Sequence, residues 1–193
     1  LSGGPVTHRV VGACEVRVFA SADPGDEADL YDSPGIDRFT GRMKNDPDRR
    51  IYRTSMAQLE LDSGQPDQAL RLYRDTLKLY PGDLIVGQYY TSALIQTGQA
   101  AEAREQVLNM LRDKRARTAE IYELWAKAAS VAGPAWETNV ASAEVYYIYG
   151  NLRFAIDQLN KAQQHKGLSQ YEQARIEARL NEFKQLLKAR EQN

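Results

Sequence analysis

Apolar residues recur at intervals of three to four positions through most of the chain, which predicts amphipathic helices. Glycine and proline mark the ends of these stretches at Pro24-Gly25, Pro34-Gly35, Pro81-Gly82 and Gly133-Pro134. Strand-like alternation appears only in the short stretch VRVFA at 16–20. The pattern therefore predicts an all-α chain.

Local signals place the predicted helices along the chain. Ser33 as N-cap and Pro34 in the first turn predict a helix start, and Ser169 with Glu172 has the spacing of a capping box. The predicted helices cover residues 7–20, 34–44, 48–63, 66–79, 84–97, 100–112, 118–132, 136–149, 152–165 and 169–189.

Residues 21–32 are acidic and rich in turn formers, which predicts a linker. The predicted organisation is an N-terminal helix with this linker over 1–32, followed by a helical domain over 33–193.

A repeat of 34 residues runs through the helical part. Gly64 and Gly98 lie 34 apart, and so do Ala69 and Ala103. The pairs Gln65 and Gln99, Leu61 and Ile95, and Leu77 and Leu111 share this offset. A helix-turn-helix unit of 34 residues is typical of the tetratricopeptide (TPR) repeat. We therefore expect a right-handed superhelical stack of antiparallel helix pairs, since each unit exposes an apolar face that only its neighbours cover.

The repeat is not regular throughout. Gly150 with Ala155 restarts the pattern, but Gly150 follows Gly98 by 52 residues, which predicts one extra helix near 117–135. The spacing leaves open which of the two helices there is the extra one. The helix over 169–189 is expected to close the stack, with Ile176, Leu180, Phe183 and Leu187 facing inward.

Charge and composition narrow the functional classes. The net charge is -1 and the pI is about 6.2, which argues against a general binder of nucleic acid or anionic membranes. The basic cluster Arg112, Lys114, Arg115 and Arg117 falls where a helix should end, and is interpreted as cations near a helix C-terminus and a solvated loop. No apolar run reaches the length of a membrane span. Direct membrane insertion is therefore not expected.

The C-terminal part resembles a known family. Residues 141–184 contain an A-E-x-Y-Y helix, a glycine turn, an A-I-x-Q-L helix and a Y-x-x-A-R-I-x-A-R helix. This order resembles the C-terminal TPR region of BepA-like zinc metallopeptidases of the bacterial periplasm. The matching residues are Ala143, Glu144, Tyr146, Tyr147, Gly150, Ala155, Ile156, Gln158, Leu159, Tyr171, Ala174, Arg175, Ile176, Ala178 and Arg179.

The resemblance implies a periplasmic location and a repeat tail without its peptidase domain. The catalytic motif of that family, HExxH, is missing, because the two histidines are the distant His8 and His165. No catalytic residue, metal ligand or cofactor site is therefore expected. His8 and Cys14, six residues apart, would not face each other on one helix.

The expected function is a non-catalytic protein-protein interaction module. As the tail of an envelope metallopeptidase, it would dock substrates or assembly partners, or regulate its own peptidase domain; the alternative is a free-standing TPR adaptor in secretion or in pilus or envelope assembly. The predicted binding surface is the concave groove, lined by Thr54, Gln58, Gln88, Ser92, Glu123 and Lys127. It is polar but not basic, so a protein or peptide partner without a strongly acidic tail is expected there.

Overall fold

The computed structural model describes residues 27–31, 38–42 and 49–192, and the chain divides into two compact units, Leu1–Arg49 and Arg50–Asn193. The helical unit therefore begins after Arg49, whereas the sequence analysis placed the boundary after residue 32. The predicted helix 7–20 lies outside the described residues.

The first unit contains a two-stranded antiparallel hairpin. Strand β1 (Glu27–Tyr31) pairs with strand β2 (Arg38–Arg42), with Glu27 opposite Arg42 and Tyr31 opposite Arg38. The predicted linker 21–32 and helix 34–44 are wrong over these strands. Pro34-Gly35, interpreted as the start of a helix, is equally typical of a turn between strands, and Phe39 and Thr40 favour the extended conformation.

The second unit is helical throughout its described part, as predicted, and every helix end lies within two residues of its predicted position. The helices are α1 (Arg49–Asp62), α2 (Pro66–Leu79), α3 (Leu84–Gln96), α4 (Ala100–Met110), α5 (Ala119–Ala132), α6 (Ala135–Ile148), α7 (Leu152–Gln163) and α8 (Gln170–Glu191), with a short 3-10 turn at Lys114–Ala116 before α5.

Three helix hairpins share one turn geometry. Gly64, Gly98 and Gly150 have φ values of 80°, 78° and 79°, in the left-handed region that glycine adopts without steric cost. At Gly98, the glycine N–H donates to Ile95 O and the next N–H donates to Leu94 O, and the same pair of bonds forms at Gly64 and Gly150. This is the Schellman arrangement, which satisfies the last carbonyls of a helix. The hairpins α1–α2, α3–α4 and α6–α7 are therefore equivalent.

This equivalence identifies α5 as the extra helix. It ends at Gly133, whose φ of -110° lies outside the left-handed region. This helix end therefore does not have the turn that the three hairpins share. The sequence had left open whether α5 or α6 was the insertion. Ala128 of α5 nevertheless packs in the same apolar cluster as Ala93 and Leu94 of α3, so α5 extends the layer formed by the first helices of the hairpins.

The repeated alanines explain the close packing of each hairpin. Ala69, Ala103 and Ala155 follow the turn glycine by five residues, and each has 0% exposure. A larger side chain there would separate the two helices, because interiors are packed without spare volume.

Helix α8 closes the stack as predicted. Ser169 and Glu172 form the expected capping box. Ile176, Leu180 and Phe183 are buried, and Leu187 is partly buried against the same cluster. The Phe183 ring stacks on Tyr147 of α6 at a centroid distance of 4.7 Å.

Candidate protein-binding groove

The predicted groove residues of the first two hairpins lie at equivalent positions of α1 and α3. Thr54 and Gln88 each precede their turn glycine by ten residues, and Gln58 and Ser92 precede it by six. All four side chains are partly exposed. Spacings of three, four and seven residues keep such positions on one face of a helix, so the four residues form two matching polar stripes.

Three of these four polar side chains already form hydrogen bonds within the protein. The Thr54 hydroxyl donates to Arg50 O at 2.8 Å, and Gln58 donates to Asp62 while accepting from the Tyr73 hydroxyl. Ser92 accepts from Gln96 at 3.4 Å. Gln88 has no side-chain hydrogen bond to any residue that the structure describes. Its amide is therefore available to a peptide backbone.

Glu123 and Lys127 follow on the exposed side of α5. The Tyr149 hydroxyl donates to Glu123 at 3.1 Å, and this bond raises the pKa of Tyr149. Lys127 is exposed, and its ammonium group has no ion pair within the described chain. The Lys127 ammonium group is therefore free to bind a partner.

The sequence analysis missed an apolar component of the same stripes. Ile51 and Ile85 lie 34 residues apart, three residues before Thr54 and Gln88 respectively. They are 53% and 54% exposed, so each repeat presents one isoleucine to solvent in the same place. The sequence held one signal of this component: an isoleucine recurs at the 34-residue offset, on the same helix face as the predicted groove residues.

The equivalent face of α6 is covered. Its matching positions are Glu137, Val140 and Glu144, all of which are buried. Glu144 accepts two hydrogen bonds from Arg179 of α8, at 2.7 and 2.5 Å. The open surface therefore comprises α1, α3 and α5 and stops at α6.

Glu137 belongs to a second buried network. Arg104 of α4 donates to both its carboxylate oxygens, one at 2.6 Å, and the indole N–H of Trp125 donates to it at 3.3 Å. The bonds to Glu137 raise the pKa of Arg104, so the guanidinium remains charged. Arg104 is therefore a structural residue of the α4–α5–α6 contact.

The described residues give little support for a catalytic or metal-binding site. No group of three or more His, Cys, Asp or Glu side chains there is arranged to hold a metal ion. The His165 ring nitrogen Nε2 is 2.9 Å from the Asn139 amide nitrogen, while His8 and Cys14 lie outside the described residues. No helix of the described ranges has the length and apolarity to cross a membrane.

Comparison with known proteins agrees with this architecture. The family model described as tetratricopeptide repeat matches residues 60–128, from the end of α1 into α5. No curated protein matches the chain. The match covers α2, α3 and α4 in full and part of α5, but only the last turn of α1. The helical unit is thus a TPR-like stack. Tetratricopeptide repeats in general mediate contacts between proteins.

Proposed function

We propose that this chain is a non-catalytic docking module that holds a segment of a partner protein along α1, α3 and α5. The observation that carries the proposal is the repeated exposure of Ile51 and Ile85 beside the polar stripes. Exposed apolar surface rimmed by polar residues marks interaction sites, and here an isoleucine recurs at the same place beside the polar stripes of two successive repeats.

The geometry favours an extended partner segment. Helices α1 and α3 contribute to one apolar cluster through Ala57 and Ala93, and packed helices lie about 8–10 Å apart. An extended chain in the polyproline II conformation advances about 3.1 Å per residue and returns to the same face every three residues. Two apolar side chains about three residues apart would therefore reach Ile51 and Ile85, while Gln88 bonds to the backbone between them.

The affinity should be modest. The open surface carries few free charges, so binding should be near micromolar and only mildly dependent on salt. A binding partner identified by crosslinking from position 88 provides the assay. Replacing Ile51 and Ile85 by Ser, or Gln88 and Lys127 by Ala, should weaken the binding of that partner about tenfold. A tenfold change corresponds to a loss of about 1.4 kcal/mol in binding free energy.

A matched control uses the outer helix α2. Arg71 and Arg74 are exposed; Arg74 makes a surface ion pair with Glu102 and lies 6.0 Å from the ring centroid of Tyr90. Arg104 is unsuitable, since its loss would leave the buried Glu137 carboxylate without its cationic partner. If the Arg71→Ala/Arg74→Ala variant loses binding while the four changes on α1, α3 and α5 leave it intact, recognition lies on the outer face and the groove proposal is wrong.

We further propose that the module is the tail of a periplasmic metallopeptidase, where it docks substrates or assembly partners or regulates the peptidase. The support is the resemblance over residues 141–184. Many of its matching residues have structural roles here: Gly150 forms the turn, Ala155 and Ile176 are core, and Glu144 bonds to Arg179.

The sequence that the gene encodes upstream of residue 1 would distinguish this role from that of a free-standing adaptor in secretion or in pilus or envelope assembly. An HExxH domain and a signal peptide encoded upstream of residue 1 would support the peptidase tail. A gene without a peptidase domain would refute that role and favour the adaptor.

A further inference from the structure

Helix α1 carries an apolar stripe that is half open to solvent. Tyr52, Met56, Leu59 and Glu60 follow the spacing i, i+4, i+7 and i+8, which places them on one face of the helix. Tyr52 and Leu59 are 43% and 55% exposed, and Met56 is partly buried. Glu60 is buried, with 4% exposure. These four residues are here named the α1 stripe.

The equivalent stripe of α3 is buried throughout. The 34-residue offset relates the α1 stripe to four residues with exposures of 0%, 4%, 1% and 0%, namely Val86, Tyr90, Ala93 and Leu94. All four belong to one apolar cluster with Leu70 and Tyr73 of α2, and the ring centroids of Tyr73 and Tyr90 are 6.3 Å apart. The second helix of the preceding hairpin therefore covers this face of α3. Helix α1 begins the described stack, which has no hairpin before it to cover the α1 stripe in the same way.

A carboxylate lies at the end of the α1 stripe. Gln68 donates to Oε1 of Glu60 at 2.8 Å, whereas Oε2 is buried and has no hydrogen-bond partner within the described residues. Glu137 and Glu144, the other buried glutamates of the described chain, each pair with an arginine from another helix. A buried carboxylate without such a partner is costly, because burial removes its hydration. Glu60 therefore favours a cation on the element that covers the stripe.

The packing of α2 on α3 shows how a covering helix supplies that cation. The Arg74 guanidinium of α2 lies 6.0 Å from the ring centroid of Tyr90. Tyr90 is the equivalent of Met56, which precedes Glu60 by four residues. A helix stacked on α1 in the same way therefore brings the side chain equivalent to Arg74 within about one helical turn of Glu60.

We propose that the α1 stripe binds an amphipathic helix of a partner protein, which stacks on α1 as α2 stacks on α3 and places an arginine or lysine at the Glu60 carboxylate. The apolar face of that helix covers Tyr52 and Leu59, as in other complexes that bury one face of a helix on an apolar surface. A second copy of this chain fits less well. A two-fold contact between two α1 stripes would bring Glu60 near its own equivalent, and neither stripe contains a cation.

The α1 stripe and the groove use different faces of the same helix. None of the groove residues of α1, which are Ile51, Thr54 and Gln58, belongs to the stripe, and Tyr52 is rotated from Ile51 by about 100° around the helix axis. The inference rests on the proposed function only in taking a protein as the ligand. Each surface can therefore fail its test while the other passes.

The test uses a fluorescein-labelled peptide with the sequence of residues 65–80, held helical by a staple through positions 71 and 75, which are exposed in α2. A second peptide carries the change Arg74→Gln. Fluorescence anisotropy with the full chain should show binding of both peptides, with the arginine peptide about fivefold tighter, as for one charge pair. The Tyr52→Ala/Leu59→Ala variant should bind both about tenfold more weakly, because two apolar contacts are lost. The Glu60→Gln variant should bind the two peptides equally, since it lacks the charge that distinguishes them.

The matched control is Tyr171→Ala/Leu186→Ala, which removes the same two residue types from positions of α8 that are 75% and 38% exposed. This variant should bind both peptides as the unaltered chain does. Equal losses in the α1 and α8 variants would overturn the proposal, and so would an unaltered chain that binds neither peptide. A preference for the arginine peptide that survives in Glu60→Gln would also overturn it.

Three further outcomes would assign the stripe or the peptide elsewhere and so contradict the proposal. A large fall in Tm of the Tyr52→Ala/Leu59→Ala variant without peptide would show that the stripe is already covered within the chain. Self-association of the unaltered chain that this variant loses would assign the stripe to a second copy. Loss of peptide binding in the Gln88→Ala/Lys127→Ala variant, with the α1 stripe intact, would place the peptide in the groove.

Discussion

The contact between Arg179 and Glu144 should be a main determinant of the stability of the C-terminal hairpin. Besides its two bonds to Glu144, the Arg179 guanidinium lies 4.8 Å from the centroid of Tyr147 and 4.4 Å from that of Phe183. Burial would lower the pKa of Arg179, but the bonds to Glu144 and Glu182 outweigh it and raise that pKa. The group remains charged, and it is the only described cation bonded to Glu144.

The perturbation is Arg179→Met, which keeps the aliphatic bulk and removes the charge. Glu144 is 9% exposed, so its carboxylate would remain buried without a partner. Breaking a buried ion pair costs about 3–5 kcal/mol. Because the Arg179 side chain is 28% exposed, we expect the lower end of that range, about 3 kcal/mol, with the lost ring contacts included.

The assay is urea and thermal unfolding followed by circular dichroism and tryptophan fluorescence. A loss of about 3 kcal/mol should lower the Tm by about 6–12 °C for a protein of this size. The double variant Glu144→Met/Arg179→Met should recover much of the loss, since no unpaired charge remains. Arg153→Met, which breaks a pair whose arginine is 79% exposed, is the control and should cost under about 0.5 kcal/mol. A loss at Arg179 no larger than this control would refute the reasoning.

Three further predictions use stability as the measurement. Gly98→Ala should cost about 1–2 kcal/mol, because the residue has positive φ but open space around it; Gly133→Ala should cost more in the same urea assay, since its Cβ would lie 2.8 Å from Ala129 Cα. Burial raises the pKa of Tyr73 to about 12, so the folded state keeps a proton that the unfolded state loses. Stability should therefore fall as the pH rises from about 10 to 12, and a Tyr73→Phe variant with an equally steep fall would contradict this. Truncation after Gly167 should lower the Tm markedly by exposing the apolar face that α8 covers, and an unchanged Tm would refute the role of α8 as the cap.

The sequence by itself determined the features that depend on neighbouring residues. The glycines at the 34-residue offset predicted the hairpins, because the left-handed turn needs glycine at that point. Ser169 and Glu172 predicted the start of α8, since a capping box is closed within four residues. The wrong prediction of a helix over residues 34–44 also came from signals between neighbouring residues. Pro34-Gly35 is compatible with both a helix start and a turn, and the structure pairs residues 38–42 with 27–31 as strands.

Tertiary packing decided which of the repeated positions remain open. Ile51 and Ile85 are equivalent to Glu137 in the repeat, yet the isoleucines face solvent and Glu137 is buried against Arg104 and Trp125. Only the three-dimensional structure shows this, because the covering residues come from α4 and α5.

The same holds for the extra helix. Helix α5 contributes Ala128 to the apolar cluster that holds Ala93 of α3, and Ile121 to the cluster that holds Ile176 of α8. Local propensities and periodicity predict which segments form helices. The surface left for a partner depends on long-range contacts, in which each helix face is either covered by another element or left exposed to water.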